Sequence, residues 1–428
     1  MKTYQNPDRS SWEEILARPV FDATPLYDSV QVIIDDVKSG GDEVVRRYTR
    51  QFDNIDQKTF SVTGKEIEDA AGLVSDQLKS AIEEAERNIR KFHTRQLHCV
   101  SYFEETTPGV RCWQKTVPIE KVGLYIPGGS APLLSTVLML GIPAKMAGCE
   151  EIVLCTPPGK DGKIHPAILY VAGLIGISKI FSIGGVQAIA AMAHGTETVP
   201  SVNKIFGPGN QYVMAAKQLV SRDKVAIDMP AGPSELAVMA DDTAVPAYVA
   251  SDLLSQAEHG HDSQVILISD SQKMIDAVKD ALEKQLEELP RKEIASVALS
   301  HSKMIFMESK LDMVDMINFY APEHLIIAME EYQLVAEQIR NVGSVFLGNF
   351  TPESAGDYAS GTNHTLPTNG WARSYGGLTL DDFVKRISLQ EISQYGLFNI
   401  GTAVMTMAEE EQLQAHRNAV SIRLKNGE

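Results

Sequence analysis

The sequence predicts an α/β protein of two domains, each a parallel sheet wrapped by helices. Short β-branched or apolar runs alternate with helical patterns through the middle of the chain. The alternation occurs in two successive series, which start near Val110 and near Glu235. The 428 residues, 44% of them hydrophobic, are also enough for more than one cored domain.

The first quarter reads as helical. Ser11-Trp12-Glu13-Glu14 has capping-box spacing and predicts a short helix reaching about Arg18. Apolar spacing in YDSVQVIIDDVKSGG predicts a helix closed by Gly40 and Gly41, and DEVVRRYTRQFD opens another with acids in its first turn. From Lys65 to about Leu97 the 3.6-residue period continues.

In the first series VRCWQKTV, KVGLYI, EEIVLC, SKIFSI, NKIFG and KVAID read as strands, separated by helical patterns such as STVLMLGIPAKMAG and VQAIAAMAH. In the second ELAVMA, SQVILIS, KMIFME, HLIIAM and GSVFLG alternate with helices such as VPAYVASDLLSQAE and SQKMIDAVKDALEKQLEEL. After YGGLTLDDFVKRISLQEIS the chain ends in a strongly helical tail whose apolar residues, Met405 and Met407 among them, require a docking surface on this chain or another subunit.

Bulk properties narrow the function. A formal charge of -17 disfavours nucleic acid or an anionic membrane as partner and leaves a small molecule. The start, MKTYQNPDRSSWEE, has no apolar signal core, and no apolar run approaches the ~18 residues that span a bilayer, so the expected compartment is the cytoplasm. Cys99, Cys112, Cys149 and Cys155 form no CxxC pair and read as reduced thiols. Cys112, Cys149 and Cys155 are candidate nucleophiles for an aldehyde-level reaction, but none has a neighbouring histidine and core packing is the favoured account.

Four stretches carry candidate chemistry. In SQAEHGHDSQ, Gln256 and His259 lie three apart at the end of a helix, so both project from one side and could share a metal. A histidine at a helix C-terminus is equally what the macrodipole favours. PESAGDYASGTNHTLPT places Asp357 and His364 in a loop after a strand, where a ligand loop at the carboxyl edge or a plain solvated turn both fit. YAPEHLII offers Glu323 beside His324, an acid–base pair if a turn at Pro322 lets both point one way, and otherwise a capping Glu with a surface His. In EEEQLQAHRNA, Glu411 and His416 diverge on a continuous helix, so a joint site requires a break near Gln412 to Leu413; the alternative is a solvated face.

YIPGGSAP, IGGVQA and GPGN each follow a predicted strand as anion-binding loops do, yet none is GxGxxG.

Taken together and in order, GLYIPGGSAPLLSTVLML, FSIGGVQAIAAMAHGTETV, KIFGPGNQYV, DMPAGPSE, LLSQAEHG, YAPEHL and ESAGDYASGTNHTLPT closely resemble the histidinol dehydrogenase family, from about Pro25 to the tail. The resemblance implies oxidation of L-histidinol to L-histidine through L-histidinaldehyde, with two NAD+ and one Zn2+ per site, and incomplete Rossmann-like domains. It implies Gln256, His259, Asp357 and His416 as metal ligands, the last supplied by the other subunit of a homodimer, as is Glu411. Glutamine is a weak zinc ligand, so the metal is expected mainly to position substrate, whose nitrogens complete its sphere. Ser234, His364 and Glu411 match further substrate contacts, and Tyr125, Gln187 and Asn210 match NAD contacts. His324 is implied as the general base of both oxidations and Glu323 as the group that activates water. No carried-over position departs from the family pattern. His261 and Asp262 are expected to support their loop without binding metal.

The expected architecture is a first α/β domain of residues 22–124 and 236–378 that holds zinc and substrate, an inserted NAD domain of 125–235, and helical extensions, 1–21 and 379–428, that embrace a partner. Two rivals remain open on the residues alone: a zinc hydrolase using the same ligands with Glu323, and a two-lobed small-molecule binding protein.

Overall fold

The computed structural model describes residues 1–19, 24–97, 103–128, 132–223, 225–230 and 232–425. Cys99, the boundary at residue 22 and the middle of YIPGGSAP (Gly129, Ser130, Ala131) lie outside them. The chain opens with β1 (Lys2–Gln5), α1 (Trp12–Ile15), α2 (Thr24–Asp53), α3 (Gly64–Ala70) and α4 (Asp76–Thr94), then β2 (Phe103–Thr107) and β3 (Val110–Pro118). Strand and helix then alternate: β4 (Lys121–Tyr125), α5 (Leu134–Ala147), β5 (Glu151–Thr156), α6 (Pro166–Leu174), β6 (Lys179–Ser182), α7 (Gly185–His194), β7 (Lys204–Phe206), α8 (Gln211–Val220) and β8 (Ala226–Ile227). The second series is β9 (Glu235–Ala240), α9 (Pro246–Ala257), β10 (Gln264–Ser269), α10 (Gln272–Glu288), α11 (Lys292–Ser300), β11 (Lys303–Phe306), α12 (Lys310–Tyr320), β12 (His324–Ala328), α13 (Tyr332–Ala336), β13 (Ser344–Leu347) and α14 (Glu353–Tyr358). The tail adds β14 (Val384–Ile392), α15 (Gln394–Glu410) and α16 (Gln414–Lys425).

Two parallel sheets carry the fold, as predicted. One is ordered β6-β5-β4-β7-β8, the other β1-β11-β10-β9-β12-β13. Apart from β1, each steps outward twice from its first strand and then crosses to that strand's other side, the order of a doubly wound sheet without its sixth strand. β9 and β10 are buried at every residue, because helices cover both faces and a continuous apolar run is then the stable pattern. In β5, Ile152 and Leu154 pack into one core and Val153 and Cys155 into the other, the period-2 alternation of a strand between two layers.

Several expectations are corrected. Ser11 does not cap α1; its hydroxyl donates to Asp8 O at 2.7 Å, and the helix ends at Ile15. Near-helical backbone at Ser11 (φ -96°, ψ -7°) keeps its Oγ from the first-turn amides. The capping box forms instead at Thr63 and Glu66. Residues 1–21 are not purely helical, since β1 pairs in parallel with β11. The helical stretch from Lys65 breaks at 71–75, where Ser75 starts a new helix by accepting from Leu78 N. The expected break after Gly40 is present, with Gly41 at φ 53° and ψ -139°, a conformation that favours glycine.

VRCWQKTV forms a strand outside both parallel sheets: β3 lies antiparallel between β2 and β14. The segment from 379 on is therefore not a purely helical extension. Packing also divides the chain differently from the expected boundaries. α2 and α4, assigned to the first domain, cover the five-stranded sheet, Val30, Ile34 and Val37 on one face and Ile82, Ala85 and Ile89 on the other. A parallel sheet must be covered on both faces, and α5 to α8 share that work with these amphipathic helices. β4, whose first residues were expected in the first domain, is the central strand of the same sheet. Among the described residues no helix is long and apolar enough to cross a membrane.

Candidate active site

A turn brings Glu323 and His324 together. Ala321 ends α12 in the left-handed region (φ 54°), Pro322 redirects the chain, and Glu323 and His324 enter β12 both buried. Both reach back to one residue at the start of β9: Glu323 Oε2 accepts from Glu235 N at 2.9 Å and His324 Nδ1 donates to Glu235 O at 3.2 Å. The two side chains come within 3.7 Å of each other, Nδ1 to Oε2.

α14 brings in two more carboxyl groups one turn apart. Glu353 Oε1 lies 3.7 Å from His324 Nδ1, and Asp357 Oδ1 lies 3.9 Å from His324 Nε2. His364 follows in the loop, its Nδ1 donating to Asp357 O at 3.0 Å and its Nε2 3.4 Å from Thr136 Oγ1 at the start of α5. Asn363 anchors that loop by donating to Met139 O, and Asn88 does so by donating to Ala359 O. α5, which follows the central strand of the five-stranded sheet, thus abuts the loop that carries His364.

Glu235 and His324 open their strands, so this cluster sits at the amino edge of the six-stranded sheet. The loop carrying Asp357 was expected at a carboxyl edge, but α14 packs on α9 and returns the chain to the other end. Gln256 lies in the last turn of α9, whose apolar residues Val249, Ala250, Leu253 and Leu254 fix its orientation. His259 lies in the turn just beyond, its N–H donating to Gln256 O, and is open to solvent. His261 and Asp262 are exposed.

Electrostatics follow from burial. Desolvation pulls His324 down to about 3 and His364 to about 4, so both are neutral near pH 7. It pushes Glu323 and Glu353 well above the usual carboxylate range and Asp357 to about 6, with His259 partly opposing the rise at Asp357. Asp252, one turn before Gln256 on α9, is pushed up to about 7 by burial.

Several buried polar atoms here have no protein partner: both amide atoms of Gln256, both oxygens of Glu353 and His324 Nε2. Leaving a buried polar group unpaired costs about 1–3 kcal/mol each, so a ligand that satisfies them fits. His324, Glu353 and Asp357 place one ligand atom each within 4.8 Å of one another. This set shares only Asp357 with the expected ligands, but Gln256, His259 and Asp357 also offer the N and O donors that Zn2+ accepts. Ser234 is half-buried next to Glu235 and accepts from Gln264 N. Glu411 and His416 are exposed on the α15–α16 hairpin, and the break between those helices is present: Gln412 has φ 60°.

A second cluster occupies the carboxyl edge of the five-stranded sheet between the paired strands β4 and β7, where the strand order reverses, the place a doubly wound sheet offers a nucleotide. Tyr125 ends β4; its oxygen accepts from Gly185 N at 3.0 Å, and burial pushes its pKa to about 12, so its own proton stays available to donate. The Gln187 amide is buried and both its polar atoms lack partners. Asn210 caps α8, its Oδ1 accepting from Tyr212 N and Val213 N at 3.1 Å. Gly207 (φ 128°) admits no side chain, because a Cβ would lie 2.1 Å from Tyr125 O.

Glu353, Glu235, Arg18 and Asp252 were not singled out from sequence. Glu353 stood one helical turn before Asp357 and was findable, whereas Arg18 and Glu235 meet across 217 positions with no local signal.

Comparison with known proteins agrees with the resemblance. The family model described as histidinol dehydrogenase matches residues 16–424. A histidinol dehydrogenase of Bacteroides thetaiotaomicron is 58% identical over 424 residues, 99% of each chain, and one of Xylella fastidiosa is 49% identical over 419 residues, 97% of each. The crystal structure of histidinol dehydrogenase from Elizabethkingia anophelis superposes with a TM-score of 0.97 at 54% identity, covering 100% of this chain and 98% of that one.

Proposed function

This chain belongs to the histidinol dehydrogenase family, and from that premise we propose that it oxidises L-histidinol to L-histidine through L-histidinaldehyde, with two NAD+ as acceptors. It is an oxidoreductase of histidine biosynthesis. The observation that supports the finer reading is the pairing of Glu323 with His324, both hung on Glu235, beside buried polar atoms of Gln256, Glu353 and His324 that have no protein partner.

Gln256, His259 and Asp357 would hold Zn2+, together with the partner subunit's His416 in a cytoplasmic homodimer. When bound, the metal supplies a cationic anchor that fixes the nitrogen donors of the amino alcohol beside His324. Ser234, His364 and the partner subunit's Glu411 complete the substrate's surroundings. Tyr125, Gln187 and Asn210 would face NAD+, which supplies the hydride acceptor for each oxidation.

His324, with its proton on Nδ1 committed to Glu235 O, accepts the alcohol proton at Nε2 while the carbon loses hydride. Asp357, 3.9 Å from Nε2 and ionised above about pH 6, is placed to stabilise the imidazolium that results. Glu323 takes a proton from the water that adds to the aldehyde carbon. His324, having released its first proton, then accepts one from the resulting diol as the second hydride departs.

The direct test is NADH absorbance on adding histidinol to the purified protein, before and after chelation. Two NADH per histidinol, lost on chelation and regained with Zn2+, is the expected result. A hydrolase or a binding protein produces none.

A further inference from the structure

Glu323 and His324 depend on Glu235, whose main-chain N–H holds one and whose carbonyl holds the other. The Glu235 side chain is 2% exposed and is held from two sides. Asn369 N donates to its Oε1 at 2.9 Å, and the Arg18 guanidinium grips both oxygens, Nε to Oε1 and Nη2 to Oε2, the latter at 2.9 Å. Arg18 Nη2 also donates to Tyr320 O at 2.7 Å and to Ala321 O at 3.4 Å, with its guanidinium 4.1 Å over the Tyr320 ring. Tyr320 and Ala321 immediately precede Pro322 and the acid–base pair. Ala321 holds φ 54°, a conformation that costs a non-glycine residue about 1 kcal/mol.

We propose that Arg18 is a positioning residue for the reaction: its one guanidinium clamps Glu235 to the 320–321 turn and so sets where Glu323 and His324 point. The inference rests on the reading of that pair as the acid–base machinery. The planar fork suits the task, since it meets a carboxylate bidentately and a main-chain oxygen beside it, which an ammonium cannot do from one place. Without Arg18 a buried carboxylate loses its countercharge, and Glu235 with both its main-chain bonds to the pair must readjust. A displacement of about 1 Å in such a group is worth about 10²-fold in rate.

The test uses the full-length, zinc-loaded protein in the histidinol-dependent NADH assay, with R18M, R18K, R18A, H324N and the double variant R18M/H324N. R18M is expected to lower kcat by about 10²-fold with the KM for histidinol within about threefold and zinc content unchanged. R18K is expected to recover only part of that loss. Because the Arg18 side chain is 20% exposed, guanidinium ion at millimolar concentration is expected to restore part of the R18A kcat where ammonium does not. Adding R18M to H324N is expected to cost nothing further, as for residues that act as a unit.

A kcat for R18M within about threefold of the unsubstituted protein overturns the proposal, as do additive losses in the double variant. So does a joint loss of kcat, zinc and Tm in R18M and R18A without guanidinium rescue; if R18M fails to fold, R18K and the rescue decide. Full turnover by H324N overturns the acid–base reading instead, whereas full turnover by R18M beside an inactive H324N overturns only the role of Arg18.

Discussion

His324 Nδ1 lies 3.2 Å from the main-chain oxygen of Glu235, and because a carbonyl only accepts, the ring carries its proton there and leaves Nε2 as the basic nitrogen. That tautomer is imposed by the backbone of a different strand. It turns the free nitrogen toward Asp357, 3.9 Å away, and leaves Nε2 without a protein hydrogen-bond partner.

His324→Asn removes the basic nitrogen while conserving much of the volume. Turnover is expected to fall by about 10²–10⁴-fold with histidinol affinity and metal content nearly unchanged. Stopped-flow NADH traces and equilibrium binding measure the two quantities; undiminished turnover refutes the assigned base.

Metal uptake is expected to depend on pH through Asp357. Burial raises its pKa to about 6 in the metal-free site, and a proton must leave before the carboxylate binds a cation. Affinity for Zn2+ is therefore full above about pH 6 and falls by up to about tenfold per unit below it. Competition with a chelating dye at pH 5, 6 and 7 reads this directly. Asp357→Asn, which cannot titrate, is expected to bind weakly and to flatten the profile.

Gln412, at φ 60°, breaks the tail into α15 and α16 and leaves His416 exposed on the second of them. If His416 completes the site of a partner, mixing inactive His416→Ala with inactive His324→Asn gives heterodimers with one intact site. Random reassortment then restores about a quarter of the full activity. A ligand acting within its own chain predicts no recovery on mixing.

Cys149 and Cys155 are expected to be inert toward thiol reagents in the native protein. Burial pushes Cys149 up to about 11 and Cys155 higher still, so neither has appreciable thiolate at pH 8. Iodoacetamide labelling read by mass spectrometry is expected to modify both only after denaturation. Native labelling of Cys155 with loss of turnover would reopen the thiol-nucleophile alternative.

What was legible in the chain and what was not follows from the range of the interactions. Strand periodicity is local: β9 and β10 are buried at every position because both faces are covered, and the nearly continuous apolar runs LAVMA and VILI carry that fact in themselves. The break at Gln412 was also local, since Glu411 and His416 can share a site only if the helix between them ends. The capping box at Ser11 failed on a competition the motif does not encode, the hydroxyl being engaged by Asp8 O. The strand Val384–Ile392 was hidden because it pairs with β3, some 270 positions earlier.

By itself the sequence determined two parallel-sheet layers and their alternating helices and offered Glu323, His324, Gln256 and Asp357 as candidates, because periodicity and motif are properties of neighbours along a chain. Only the tertiary structure decided that α2 and α4 cover the five-stranded sheet, that α14 carries Asp357 to an amino edge, and that Arg18 meets Glu235, whose main chain bonds Glu323 and His324. Those contacts join residues far apart along the chain, and whether a guanidinium meets a buried carboxylate depends on where the elements lie once their apolar faces have been covered.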